Sequence, residues 1–263
     1  KEVYHIESWY SCFEITNNHN LFCYDVVNRN KNGYKYKSEL ASWKLEKLSY
    51  GMTKGKKDKH IISFPYNKQT DNKQYSDDFL YLLGAYISEG TCIFRDKDKT
   101  QLKSIRISQT DHGKQKFSTI MDNLSTININ KFSYHRNEKD CIEYIWETYD
   151  KDVIKQIYKI VGHISYNKRI DYSFIFSLSK EQCQKILLMT LLGDGTKDKD
   201  SNRWIYYTSS KQLAHDIVTL AHLAGYESNL FNEERYISTN RYGEKPMYQV
   251  AIKQEICPHY INI

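Results

Sequence analysis

Apolar positions along this chain follow two periods. Across residues 1 to 66 they fall in short β-type runs: Tyr4-His5-Ile6, Cys12 to Thr16 and Leu21 to Val27. Asn17 to Asn20 and Asn28 to Gly33 separate the runs as turns. From residue 76 the period becomes helical. Phe79, Leu80, Leu82, Leu83, Tyr86 and Ile87 would share a helix, with Ser76 as its N-cap. Asp77 and Asp78 suit the positive helix start, and Gly90 stands where the helix should stop. Leu102 to Gln109 predicts a strand, Lys114 to Leu124 a helix, Lys131 to His135 and Cys141 to Thr148 strands, and Lys151 to Val161 a helix.

The order then recurs. Ser179 with Gln182 fits a capping box, Ile186 to Leu192 is apolar, and Gly195 is the stop. Trp204 to Thr208 predicts a strand, Lys211 to Leu223 a helix ended by Gly225, and Ser228 to Ile237 and Met247 to Ile252 two strands. Two rounds of helix, strand, helix, strand, strand, about 100 residues apart, predict an internal duplication. The expected domains are a β-rich segment at 1–66, a polar linker at 67–75, and repeats at 76–175 and 176–263.

Composition adds limits. With 40% hydrophobic and 27% charged residues, the 263-residue chain has the means for a real core. The net charge of +6 points toward an anionic partner without naming it. The 23 tyrosines are read as codon bias in their total. No apolar run reaches the roughly 20 residues of a membrane helix. The start, Lys1-Glu2-Val3-Tyr4-His5, lacks a signal peptide's apolar stretch. The expected location is therefore cytoplasmic, or nuclear or organellar in a eukaryote. The six cysteines show no C-x-x-C spacing and are read as reduced thiols.

The chemistry lies at the ends of the two capped helices. One closes Ile87-Ser88-Glu89-Gly90, the other Leu192-Gly193-Asp194-Gly195. An acid at a helix C-terminus opposes the macrodipole. Two such acids, at matching places in two repeats, ask for a cation. Brought together, Glu89 and Asp194 would hold Mg²⁺, a hard ion that takes oxygen ligands, for phosphodiester hydrolysis. Gly84, Ser88 and Gly193 are small enough to let the two helices approach closely.

These segments resemble the paired motifs of the LAGLIDADG (dodecapeptide) homing endonucleases, over roughly residues 76 to 263. The resemblance implies an α+β fold: two pseudo-symmetric αββαββα repeats with saddle-shaped antiparallel sheets laid on DNA. It implies a monomeric, site-specific endonuclease cutting both strands of a DNA target, with Mg²⁺ (Mn²⁺ as substitute). It makes Glu89 and Asp194 the catalytic, metal-binding acids, and Gly90 and Gly195 the family's final glycines at the metal. Asn167-Lys168-Arg169-Ile170 resembles the segment in which a lysine approaches the scissile phosphate, which makes Lys168 catalytic. Lys253, with Lys245 as the alternative, is the expected lysine of the second repeat. Met189 departs from the small residue the family prefers, so asymmetric helix packing is expected.

The strands are expected to face the duplex through Arg106, Gln109, Tyr134 and Arg136 in the first repeat, and Arg203, Tyr206, Arg235, Tyr236 and Arg241 in the second. Arg169 and Ser209, in segments like the family's site-flanking junctions, complete the DNA-binding set. Thr16 and His19 resemble the Thr-x-x-His block of inteins, which implies a remnant of a Hint domain. Without an intein's first nucleophile or its closing His-Asn, splicing is not expected of the chain as written. The alternatives are a non-cleaving DNA or RNA binder of the same fold (a maturase or regulator), and a fragment of a self-splicing intein.

Overall fold

The structure is a computed structural model. It describes residues 3–7, 12–16, 20–25, 29–30, 33–34, 44–47, 59–61, 74–111, 114–136, 141–198, 203–233 and 247–253. The chain divides into two compact units, Lys1–Pro65 with Cys257–Ile263, and Tyr66–Ile256.

The first unit is built from short strands. β1 (Val3–Glu7) pairs antiparallel with β2 (Cys12–Thr16). β3 (Asn20–Asp25) is flanked by β6 (Lys44–Lys47) and β7 (Lys59–Ile61), and β4 (Arg29–Asn30) pairs with β5 (Gly33–Tyr34). Thr16 ends β2 opposite Val3, and His19 lies outside the described residues.

The second unit opens with α1 (Asp77–Glu89), where the Ser76 hydroxyl accepts from the Phe79 amide at 3.2 Å. That bond satisfies one of the helix's orphan donors. Leu80, Leu82, Leu83, Ala85, Tyr86 and Ile87 are all buried, so this helix is wrapped by protein on most of its circumference. β8 (Gly90–Phe94), β9 (Leu102–Thr110), α2 (Gln115–Asp122), β10 (Ile129–Arg136), β11 (Cys141–Thr148) and α3 (Lys151–Val161) follow. A 3₁₀ turn at Ser165–Asn167 and the short α4 (Tyr172–Ile175) connect to α5 (Lys180–Asp194). β12 (Gly195–Asp198), β13 (Arg203–Thr208), α6 (Lys211–Leu223), β14 (Glu227–Glu233) and β15 (Met247–Lys253) complete it.

Each half carries a four-stranded antiparallel sheet, in the orders β8-β9-β11-β10 and β12-β13-β15-β14. The chain visits both sheets in the same sequence. Trp146, Ile107 and Phe117 fill the space under the first sheet, and Tyr206, Val250, Ile252 and Ile217 that under the second. Strands β8 and β12 go beyond the sequence pattern. Each starts on the glycine that stops its helix, so no loop separates helix from strand.

Ser179 caps α5 in a full capping box, with the Gln182 side chain accepting from the Ser179 amide at 2.9 Å. Ser179→Ala is expected to cost about 1 kcal/mol of stability, measured by urea unfolding. An unchanged midpoint would show that packing alone holds this helix start.

Candidate metal and nucleic-acid site

Helices α1 and α5 cross at glycines. A Cβ on Gly84 would lie 2.4 Å from the Ile186 carbonyl oxygen and 2.8 Å from the Met189 Cβ. A Cβ on Gly193 would lie 2.1 Å from the Ser88 Oγ and 2.6 Å from its Cβ. Both distances are below any real carbon contact, so neither position admits a side chain without moving its neighbour. Counting back from the two final glycines, Gly84 matches Met189 and Ser88 matches Gly193. Each pair of matching positions thus faces itself across the crossing, with one glycine per pair. Met189 is tolerated because Gly84 lies opposite. The Thr190 hydroxyl, within bonding distance of the Gly84 and Ile186 carbonyls, adds polar contact at the same place.

Beyond the crossing, both helices turn directly into strands. Gly90 and Gly195 have extended backbones, φ −89° and −85°, rather than the left-handed cap a helix-ending glycine often adopts. Glycine is needed there for room. A Cβ on Gly90 would meet Tyr86 at 2.2 Å, and one on Gly195 the Leu191 carbonyl oxygen at 2.4 Å. Gly225, after α6, does take positive φ, +85°.

Glu89 and Asp194 are the last residues of their helices and share one neighbourhood. Burial raises the Glu89 carboxyl above the usual carboxylate range, against the pull of Gln109, Lys114 and Lys168. Asp194 is open to solvent on one side. Even so, burial, with the Glu89 charge next in weight, pushes its carboxyl up to about 7, and Lys168 and Lys114 oppose the shift. Two acids crowded this way favour any added cation. Among the described residues no third His, Cys, Asp or Glu joins them.

The helix ends do receive cations, and both are lysines from elsewhere in the fold. Lys168, only 5% exposed, donates to the carbonyls of Tyr86 at 2.8 Å, Ile87 at 3.1 Å and Gly90 at 3.0 Å. Its Nζ also lies 4.7 Å from the centre of the Tyr86 ring. Burial pulls its ammonium down to about 8, although Asp194, Cys92 and Glu89 favour the charge. Lys114, at the N-cap of α2, donates to the carbonyls of Leu192 at 2.8 Å and Gly193 at 2.5 Å. A positive group on the last carbonyls offsets the dipole's negative end. The lysine serving α5 is therefore Lys114. Lys253 lies at the end of β15 opposite Arg203, three residue pairs along from Gly195, or roughly 10 Å at strand spacing. Lys245 lies outside the described residues.

Gln109 also has a different place from the one expected of it. Its Nε2 donates to Glu89 Oε1 at 2.6 Å, and its own Oε1 accepts from the Thr110 amide. Arg106 and Gln109 are three apart on β9, and alternation puts them on opposite faces. Gln109 follows Ile105 and Ile107 inward and is 8% exposed. Tyr206, expected outward, is likewise buried on the core face of its sheet.

Arg106 is on the outer face, where its Nη2 meets Glu147 Oε2 at 3.1 Å. Phe132 and Tyr134, 43% and 55% exposed, share that face on β10. Arg136 ends β10 opposite Cys141. Arg169 and Arg203 are exposed, and Ser209 is half-buried beside the N-cap of α6. Arg235, Tyr236 and Arg241 lie outside the described residues.

No family model matches the chain, nor does any curated protein. Solved structures do. The chain is similar to mesophilic variants of the homing endonuclease I-DmoI at 16% identity and a TM-score of 0.44, over 68% of this chain and 89% of that one. It is similar to I-DmoI in complex with DNA and Mn at 14% identity and a TM-score of 0.41, over 67% and 89%. To the homing endonuclease I-WcaI bound to its DNA recognition sequence it is 12% identical, with a TM-score of 0.43 over 68% and 78%. Overlaps this loose assign no residue a role. The chemistry rests on the side chains of this chain.

Those side chains fix one pH dependence. Burial and the neighbouring Glu89 charge push the Asp194 carboxyl up to about 7 from an ordinary 3.8. Between those values the folded chain keeps a proton that the unfolded chain has released. The group's contribution is therefore fully present below about pH 4 and is lost as pH rises through 7. Urea unfolding in EDTA is expected to show stability declining across this window, and Asp194→Asn should remove that part of the decline. Parallel pH profiles for the two proteins would contradict the assignment.

Proposed function

We propose that this chain is a site-specific double-strand DNA endonuclease of the LAGLIDADG type, using Mg²⁺ or Mn²⁺ held between Glu89 and Asp194. The observation that carries the reading is the pairing at the helix ends. Two carboxylates stand together at adjacent C-termini, raised by burial, with one lysine on the terminal carbonyls of each helix. The donor set is all oxygen and short of protein ligands, which fits Mg²⁺, an ion that keeps waters and takes phosphate oxygens. When bound, the ion would supply Lewis acidity and an activated water. Gly90 and Gly195 would offer carbonyls beside it, the Gly90 oxygen already accepting from Lys168.

The chain's own groups prepare the site. Gln109 holds Oε1 of Glu89 and so fixes the direction of that carboxylate. Lys168 and Lys114 keep positive charge beside the acids where negative charge develops on a phosphate. With three carbonyls on its ammonium, Lys168 acts through its field in this arrangement. The matching order of elements in both halves is read as two pseudo-symmetric repeats, each turning the outer face of its sheet toward one half of the duplex. Arg106 and Arg203 belong to those faces, with Arg169 and Ser209 nearer the helix ends, and Arg136, at the end of β10, is proposed as a further DNA contact. One chain holds both acids, so a monomer suffices. The first unit is read as a Hint remnant, on Thr16 and His19.

The test is direct. Purified protein and Mg²⁺ are incubated with plasmid carrying the uninterrupted insertion site, the host sequence rejoined without this coding segment. A double-strand break at the junction is expected. Binding without cutting in either Mg²⁺ or Mn²⁺ would replace the endonuclease with a non-cleaving binder.

A further inference from the structure

Helix α6 carries a fully buried carboxylate, Asp216, that the proposed cleavage does not use. A charge in such a place is costly unless it holds something in position. Asp216 Oδ2 accepts from the Ile170 amide at 2.6 Å, and Oδ1 from the Gln212 side chain at 2.8 Å. Nearly two turns earlier, at the start of the helix, the buried Ser210 hydroxyl donates to the Lys168 carbonyl at 2.6 Å and caps α6 through the Leu213 amide at 3.2 Å. On the other side, the amides of Arg169 and Asp171 donate to the carbonyls of Val161 and Ile160 at the end of α3. The segment 168–171 is thus bonded at successive backbone groups, alternately to α6 and α3. Its one inward lysine reaches across to the end of α1.

We propose that Ser210 and Asp216 are positioning residues that set the Lys168 ammonium at the end of α1. By this device the second half of the fold places a working group in the first. Two observations carry it: the clamp that holds the backbone of residues 168–171 between α6 and α3, and the complete burial of the carboxylate that forms half of it. The proposal rests on reading Lys168 as the cation of the nuclease site, and its test separates the two.

The variants are Asp216→Ala, Asp216→Asn and Ser210→Ala, each alone and with Lys168→Met. The first readout needs neither DNA nor metal. Amine acylation, followed residue by residue by mass spectrometry, should label Lys168 slowly in the parent. It should label several-fold faster in Asp216→Ala and Ser210→Ala, with the exposed Lys151 unchanged. Asp216→Asn keeps an oxygen for the Ile170 amide and should stay near the parent. The second readout is cleavage of the insertion-site plasmid. Asp216→Ala should lower kcat by about 10² with little change in KM, as misplacement of a catalytic group does. That loss should vanish in the Lys168→Met background.

Unchanged Lys168 labelling in folded Asp216→Ala and Ser210→Ala, or kcat losses that simply add to that of Lys168→Met, would overturn the proposal. If Asp216→Ala does not fold, Ser210→Ala carries the same comparison. Faster labelling alongside a parent that cuts no DNA would leave the positioning intact and sink the endonuclease.

Discussion

Glu89→Gln and Asp194→Asn are each expected to abolish double-strand cutting, with rates down by about 10³ or more, while DNA binding stays within a few-fold. That factor corresponds to roughly 4 kcal/mol of transition-state stabilisation, which is in the range a metal ion supplies. Both substitutions keep shape and remove only charge. Gln at 89 still offers an oxygen to the Gln109 amide, so the local hydrogen bond survives. What is lost is half of the negative charge that would attract the cation. Gel shift in Ca²⁺ and cleavage in Mg²⁺ measure the two effects separately. Cleavage surviving in both variants would remove the acids from the chemistry.

The second large effect lies at the helix crossing. Gly84→Ala puts a carbon 2.4 Å from the Ile186 carbonyl oxygen, a backbone atom with no rotamer to escape into. The expected loss is about 3 kcal/mol, the upper end for overpacking. Gly193→Ser meets a side chain instead, at Ser88 Cβ, and is expected to cost about 2 kcal/mol. The exchange Ser88→Gly with Gly193→Ser restores one side chain per facing pair. It should recover most of that loss, a coupling of about 1–2 kcal/mol between contacting residues. Urea unfolding of Ser88→Gly, Gly193→Ser and the double variant decides the matter. Strictly additive losses at 88 and 193 would show that the two positions do not face each other as described.

Both crossing helices are legible in the sequence because their signals are local. Ser76 and Ser179 mark the starts, apolar residues cover the faces, and the acid–glycine pairs mark the ends. The acids stand out because they violate a rule, a negative charge at a negative helix end. The remedy for that violation was harder to see. Lys114 and Lys168 lie 78 or more residues away in sequence from the carbonyls they serve, and nothing local ties them together. For Lys114 one signal was available. It closes the junction after β9, a site-flanking segment that could hold a cation, although its own half points to α1 and it serves the end of α5.

Gln109 sits at the acids and not on the outer face, for a different reason. Its residue type suits base recognition, but strand alternation from Arg106 already puts it on the core face. On β9 periodicity decides the face, whatever the residue type suggests. β8 and β12 escaped because their edges are defined by pairing with β9 and β13, which is a tertiary fact.

The central claim is that Glu89 and Asp194 together hold a divalent ion. Mn²⁺ binding to the DNA-bound protein, followed by electron paramagnetic resonance, tests it most directly. The account predicts bound Mn²⁺ in the parent and its loss when Glu89→Gln and Asp194→Asn are combined. Undiminished Mn²⁺ binding in that double variant would contradict it.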